Sequence, residues 1–178
     1  MINNKNKMSP AVRIAFVGIA AATVECGKLA LSALPNIEVV TLLLALYGYV
    51  FGGIGIWTAL VFVCIEPLIY GFGSWTLAYI LYWPFVALIF ALLGKIKIKN
   101  RLVLTATAVL LTVWFGVLTA LIEVGLFSGS FDNFLYRFGI YYARGIVFYL
   151  LQIVTNAVLF PLLFRFLSEK LSKIKGKI

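Results

Sequence analysis

The sequence predicts an all-α membrane protein of six closely packed transmembrane helices with both termini on the cytoplasmic side. Three observations carry this: the apolar composition, the length of the apolar blocks, and the placement of the basic residues. Hydrophobic residues make up 63% of the 178 and charged residues 12%, with a mean hydropathy of +1.08. A soluble domain so composed would lack the polar surface to face water. Strand-like alternation is absent, so a barrel is not expected. The polar stretches between blocks are short connectors, which leaves a single transmembrane domain over 1–178.

The first span covers 11–33, after the polar leader MINNKNKMSP, and ends at Leu34-Pro35-Asn36-Ile37-Glu38, where proline cannot continue a regular helix. The apolar stretch 39–73 carries Gly52, Gly53 and Gly55 at its middle and divides into spans 39–51 and 54–71 joined by a tight glycine turn. Span four covers 76–93, with Pro84 expected to kink it, and a basic loop holding Lys95, Lys97, Lys99 and Arg101 follows. Span five covers 102–127. A polar turn, 128–133, leads to an aromatic segment, 134–145, and the last span covers 146–167. Because 134–167 is too long for one untilted crossing, its first part is expected at or beyond the outer interface.

Lys and Arg collect on cytoplasmic flanks during insertion. All of the 15 basic residues except Lys28, Arg137 and Arg144 fall at the amino-terminal start, in the 95–101 loop or in the carboxy-terminal tail. Six spans place these three clusters on one side; five spans would separate the two termini. The net charge of +9 is then a topological signal with some attraction to anionic lipid, and nucleic-acid binding is excluded as its explanation.

Five of the six acidic residues, Glu25, Glu38, Glu66, Glu123 and Asp132, fall in the outer half under this topology, together with Lys28, Arg137 and Arg144. Ionisable groups inside a membrane survive by pairing or by lining a wet cavity. Glu25, Lys28 and Glu123 suit headgroup contacts or internal salt bridges at least as well as contact with a ligand. In the last segment Arg137, Tyr141, Arg144, Phe148 and Gln152 recur at four, three, four and four residues and share one helical face, and Asn156 resumes the polar line deeper. Two readings stand: helix–helix hydrogen bonding, or one wall of a cavity opening outward, with Asn36, Glu38, Glu66, Tyr70 and Trp75 on other walls.

Ala11, Ala15, Gly18 and Ala22 recur at four, three and four along the first span, a smooth seam where another helix can approach closely. It serves either packing within the chain or docking of a separate subunit.

The chain has no histidine, which removes the usual general base and the commonest metal ligand, so no catalytic and no metal site is expected. Cys26 and Cys64 read as packed thiols. There is no GxxxxGK loop, so any active uptake needs ion coupling or an external motor. The first block exceeds the roughly 7 to 15 residues of a signal-peptide core and is expected to be retained.

In length, span count and charge placement the whole chain resembles a substrate-binding S component of an energy-coupling factor transporter, a type of ATP-driven importer. The more specific points of likeness are the small-residue first helix (Ala11, Ala15, Gly18, Ala22), the turn from Leu34 to Glu38, and Tyr70-Gly71-Phe72-Gly73 closing the third span. The resemblance implies a non-enzymatic subunit of a prokaryotic plasma membrane that captures a vitamin or related micronutrient at the outer face. It implies partners too: a transmembrane coupling protein docked on the first-helix seam and two cytoplasmic ATPases that use ATP, with no cofactor on the subunit itself. It also implies that the subunit topples in the membrane to deliver its ligand.

An aromatic, amide-bearing cavity with both charge signs suits a large, nearly neutral ligand, which puts cobalamin first, then a queuosine precursor, a pyridoxine-type vitamin or pantothenate. Two other classes remain. One is a stand-alone proton-coupled secondary transporter using Glu66 or Glu123; the other is a membrane enzyme with Glu66 and Asp132 as acid and base.

Overall fold

The computed structural model describes residues 8–34 and 37–177, and among them every regular element is helical. The order is α1 (Pro10–Ala30), α2 (Val40–Phe51), α3 (Gly53–Tyr70), α4 (Ser74–Lys95), α5 (Arg101–Ile122), α6 (Phe134–Leu159) and α7 (Arg165–Lys175). A π-helical turn, Glu123–Phe127, extends α5, and a second, Phe160–Phe164, joins α6 to α7 without a break.

Local chemistry sets the boundaries. The Ser9 hydroxyl accepts the Val12 N–H at 3.3 Å, and Pro10 follows in the first turn, where its missing donor costs nothing. Asn100 Oδ1 accepts the N–H groups of Leu102 and Val103 at 2.9 and 3.4 Å and so starts α5. The chain breaks between α2 and α3 at Gly52, whose φ of 62° and ψ of −123° strongly favour glycine. Pro67 and Pro84 lie inside α3 and α4, and both helices continue past them.

Five helical stretches are long and apolar enough to cross a membrane: Pro10–Ala30, Gly53–Tyr70, Ser74–Lys95, Arg101–Phe127 and Phe134–Lys175. Large apolar side chains cover the perimeter, Ile14, Leu68 and Leu110 being 74%, 79% and 68% exposed. Exposure on this scale suits lipid as the surrounding solvent.

α2 differs from the others. Its 12 residues span about 18 Å, short of the roughly 30 Å of hydrocarbon, and most of them are buried on every side of the helix. It is a central post, packed on α3 and α4 and touched by α1 and α7, while α1 lies on α3 and α5 pairs with α6. Close approach makes this possible. A Cβ on Gly48 would strike the Ala87 carbonyl of α4, and one on Gly94 of α4 would strike the Tyr49 carbonyl of α2.

The segment before the last span is continuous helix with it, 42 residues from Phe134 to Lys175. Neither Gly139 nor Gly145 breaks the ladder, and at 1.5 Å per residue the rod exceeds the hydrocarbon thickness about twofold. Met8 and Lys177 line one cleft, so both ends of the described chain meet at one end of the bundle, called here the terminal end.

Replacing Gly48 with alanine is expected to cost about 3 kcal/mol, since a backbone carbonyl must move to admit the methyl group. Alanine at Gly18, where an added Cβ meets nothing, should stay within about 0.5 kcal/mol. Thermal unfolding of the two variants in one detergent makes the comparison.

Candidate functional site

The polar side chains of the interior gather at the end of the bundle opposite the termini. Three elements build the centre of the cluster: the last turns of α1, the last turns of α3, and the start of α2. On α1, Ala21, Val24, Glu25 and Lys28 follow one stripe, which turns both ionisable groups toward α3. On α3, Glu66 is fully buried beside Pro67. The Lys28 ammonium pairs with Glu66 Oε2, the Lys28 side chain retaining 22% of its exposure and that of Glu66 only 1%. Tyr70, one turn past Glu66, lies beneath the same ammonium at 4.2 Å from ring centroid to Nζ, and the Tyr79 ring of α4 lies at 5.6 Å. Trp75 meets Tyr79 edge to face at 5.2 Å, extending the aromatic wall.

A second connection crosses the bundle. Gln152 Nε2 of α6 donates to Glu38 Oε1 at 3.1 Å. Glu38 sits on the loop before α2, and burial pushes its carboxyl up to about 7, with the nearby Lys28 charge opposing and the Glu66 charge adding to the shift. Deeper still, Asn156 Nδ2 donates to Thr112 Oγ1 of α5 at 2.9 Å, and Asn156 is almost wholly buried. Below these groups Tyr79, Tyr82, Trp83 and Phe115 form a floor of tilted and edge-on rings.

The structure therefore brings together Glu38, Glu66, Tyr70, Trp75, Gln152 and Asn156 of the residues expected from sequence. Others fall elsewhere. Arg137 donates to the carbonyls of Ser130 and Ser128 at 2.8 and 3.4 Å, fastening its own loop. Tyr141 lines a small cavity of about 40 Å³ with Trp75, Thr119 and Glu123. Arg144 and Phe148 are exposed on the perimeter. Asn36 lies outside the described residues. Cys26 and Cys64, expected as packed thiols, are unpaired and exposed.

The sequence did not single out Glu25, Lys28 and Tyr79 as members of the site. The signal for the first two was their three-residue spacing on the stripe that also carries Ala21. Among the described residues no three His, Cys, Asp or Glu side chains converge as a metal site requires.

At the terminal end the picture reverses. Ala11, Ala15, Gly18 and Ala22 are all exposed, so the small-residue seam of α1 is not covered by another helix among the described residues. Beside it lies the cleft shared by the two ends of the chain, about 1290 Å³, lined by Arg13, Ile14, Gly18, Trp57 and Lys175 among others.

Comparison with protein-family models, with curated proteins and with solved structures finds no match for this chain.

Two outcomes test this geometry. Lys28→Met leaves the Glu66 carboxylate buried without its partner and should cost about 3 kcal/mol, whereas Lys28→Met with Glu66→Leu should recover to within about 1 kcal/mol of the parent. Infrared titration should show a protonated carboxyl band that fades as pH rises through about 7 and is weaker in Glu38→Gln.

Proposed function

We propose that the chain is the substrate-binding subunit of an energy-coupling factor type importer, a six-span protein of a prokaryotic cell membrane with both termini cytoplasmic. It captures a vitamin or related micronutrient at the outer face and delivers it with a separate ATP-driven module. Cobalamin is the leading ligand, followed by a queuosine precursor, a pyridoxine-type vitamin and pantothenate. The subunit binds no cofactor and carries no ATPase or other catalytic site of its own.

The observation that carries this reading is the division of α1 between two kinds of surface. Toward its carboxy-terminal end the helix turns Glu25 and Lys28 into a buried polar cluster shared with α3. Toward its amino-terminal end it leaves Ala11, Ala15, Gly18 and Ala22 bare. Buried polar groups with aromatic walls suit ligand recognition, because amides and charges fix orientation while rings supply contact area. A stripe of small residues suits close approach by a helix of another protein, since backbones meet where no side chain intervenes. In this reading the coupling protein docks on the seam, and ATP hydrolysis by the two cytoplasmic subunits topples the chain to release its ligand inside.

A stand-alone proton-coupled carrier is the second reading, and the burial of Glu66 is what favours it. Co-purification separates the two: an importer subunit brings down two ATPases and a coupling protein, while a carrier transports alone in liposomes. Ala15→Leu and Gly18→Leu should each abolish assembly with those partners while leaving ligand binding intact, and full assembly of both variants would overturn the docking seam. Mass spectrometry of small molecules retained by the purified chain names the ligand.

A further inference from the structure

The polar cluster is short of positive charge. Among the described residues Glu25, Glu38 and Glu66 have one cation near them, Lys28, which pairs with Glu66, because Arg137 is committed to loop carbonyls and Arg144 lies on the perimeter. Both carboxylate oxygens of Glu25 and Oε1 of Glu66 are buried without a hydrogen-bond partner among the described residues, although the two residues are only 7% and 0% exposed. The Glu25 and Glu66 carboxyls lie against each other, so the pair lacks the full complement of positive partners that buried carboxylates ordinarily have.

What does surround the one available cation is informative. The Lys28 ammonium is held by Glu66 below and by the faces of Tyr70 and Tyr79, at 4.2 and 5.6 Å from its nitrogen. A carboxylate with aromatic faces on two sides is the environment that recognises an ammonium group, through ion pairing and the ring quadrupoles together. Lys28 is also the member nearer the exterior, its side chain 22% exposed against 1% for Glu66. Among the described residues no three His, Cys, Asp or Glu side chains converge as a metal ion would require, whereas Trp75, edge-on to Tyr79, offers a further flat surface for an organic body.

We propose that the cluster binds an organic ammonium, whose charged nitrogen replaces that of Lys28 between Glu66, Glu25 and the rings of Tyr70 and Tyr79 while the lysine swings outward. The ligand class deepens the capture function proposed above and rests on it. It favours, over the cobalamin placed first above, candidates that carry a protonated amine on a flat ring, and it disfavours pantothenate, whose carboxylate would face those of Glu25 and Glu66.

The test uses the full chain in nanodiscs with three probes of matched shape: benzylammonium, benzyl alcohol and benzoate. Calorimetry should show the ammonium binding about tenfold more tightly than the alcohol, with benzoate weakest. Glu25→Gln, which removes a carboxyl without a cationic partner of its own and keeps the side-chain shape, should erase the preference. Lys28→Met should bind the ammonium about tenfold more tightly than the parent and be restored by it toward parental thermal stability, because the resident competitor is gone. Equal binding of ammonium and alcohol by the parent chain overturns the proposal, as does an undiminished preference in Glu25→Gln. Should that variant fail to fold, absence of ammonium rescue in Lys28→Met overturns it alone. These measurements need no ATPase, so an ammonium preference without ATPase recruitment refutes the importer and spares the ligand class; recruitment without the preference does the reverse.

Discussion

The ion pair between Lys28 and Glu66 is the constraint on which the polar end of the bundle depends. Breaking a buried ion pair by removing one partner costs several kcal/mol, so each residue supports the burial of the other. The pair also acts geometrically. α1 lies mainly on α3, and a charge on each helix that must meet the other sets the rotation of α1 about its own axis. Once Lys28 faces α3, Glu25 three residues earlier must face it too, and the small residues of the first turns are directed outward. The buried cluster and the bare seam are thus two consequences of one rotation.

Glycine supplies the second condition. α2 has only 12 residues, too few to face lipid along its length, yet it occupies the centre because Gly48 and Gly94 let its backbone approach that of α4. Dispersion and close packing, rather than hydrophobic transfer, drive association between helices in a membrane, so such contacts dominate the core. A central, short α2 has a functional effect. Its amino-terminal end falls inside the bundle instead of beyond it, and Glu38 just ahead is held where Gln152 of α6 reaches it.

Much of this was legible in the chain. Composition and block length give the all-helical, membrane-suited character, and the glycine run at 52, 53 and 55 marks a break because Gly52 adopts a positive φ that other residues resist. Glu66, Gln152 and Asn156 stand out because polar groups at such positions need partners, and each has one. The pattern misled where helical spacing was the only guide. Arg144 and Phe148 share a face with Gln152 on paper, but α6 packs chiefly on α5, so much of that face stays exposed. Glu25 and Lys28 were ambiguous for a different reason: only a tertiary partner distinguishes a headgroup contact from an internal pair.

The cluster's internal bonds bear on how it would select. Lys28 with Glu66, Gln152 with Glu38 and Asn156 with Thr112 each join different parts of the chain, and each offers a donor or acceptor that a ligand could take over. A molecule that matches one bond alone gains little, because it exchanges one satisfied pair for another and must still order itself. Net gain requires satisfying what the protein leaves unsatisfied, and among the described residues of the cluster that is mostly acceptors, the oxygens of Glu25, Glu66 Oε1 and Asn156 Oδ1, with the Trp83 indole N–H of the floor as the one donor. Selectivity at this site therefore turns on donors and positive charge rather than on size, and a ligand poor in both would find its best contacts already made by the protein itself.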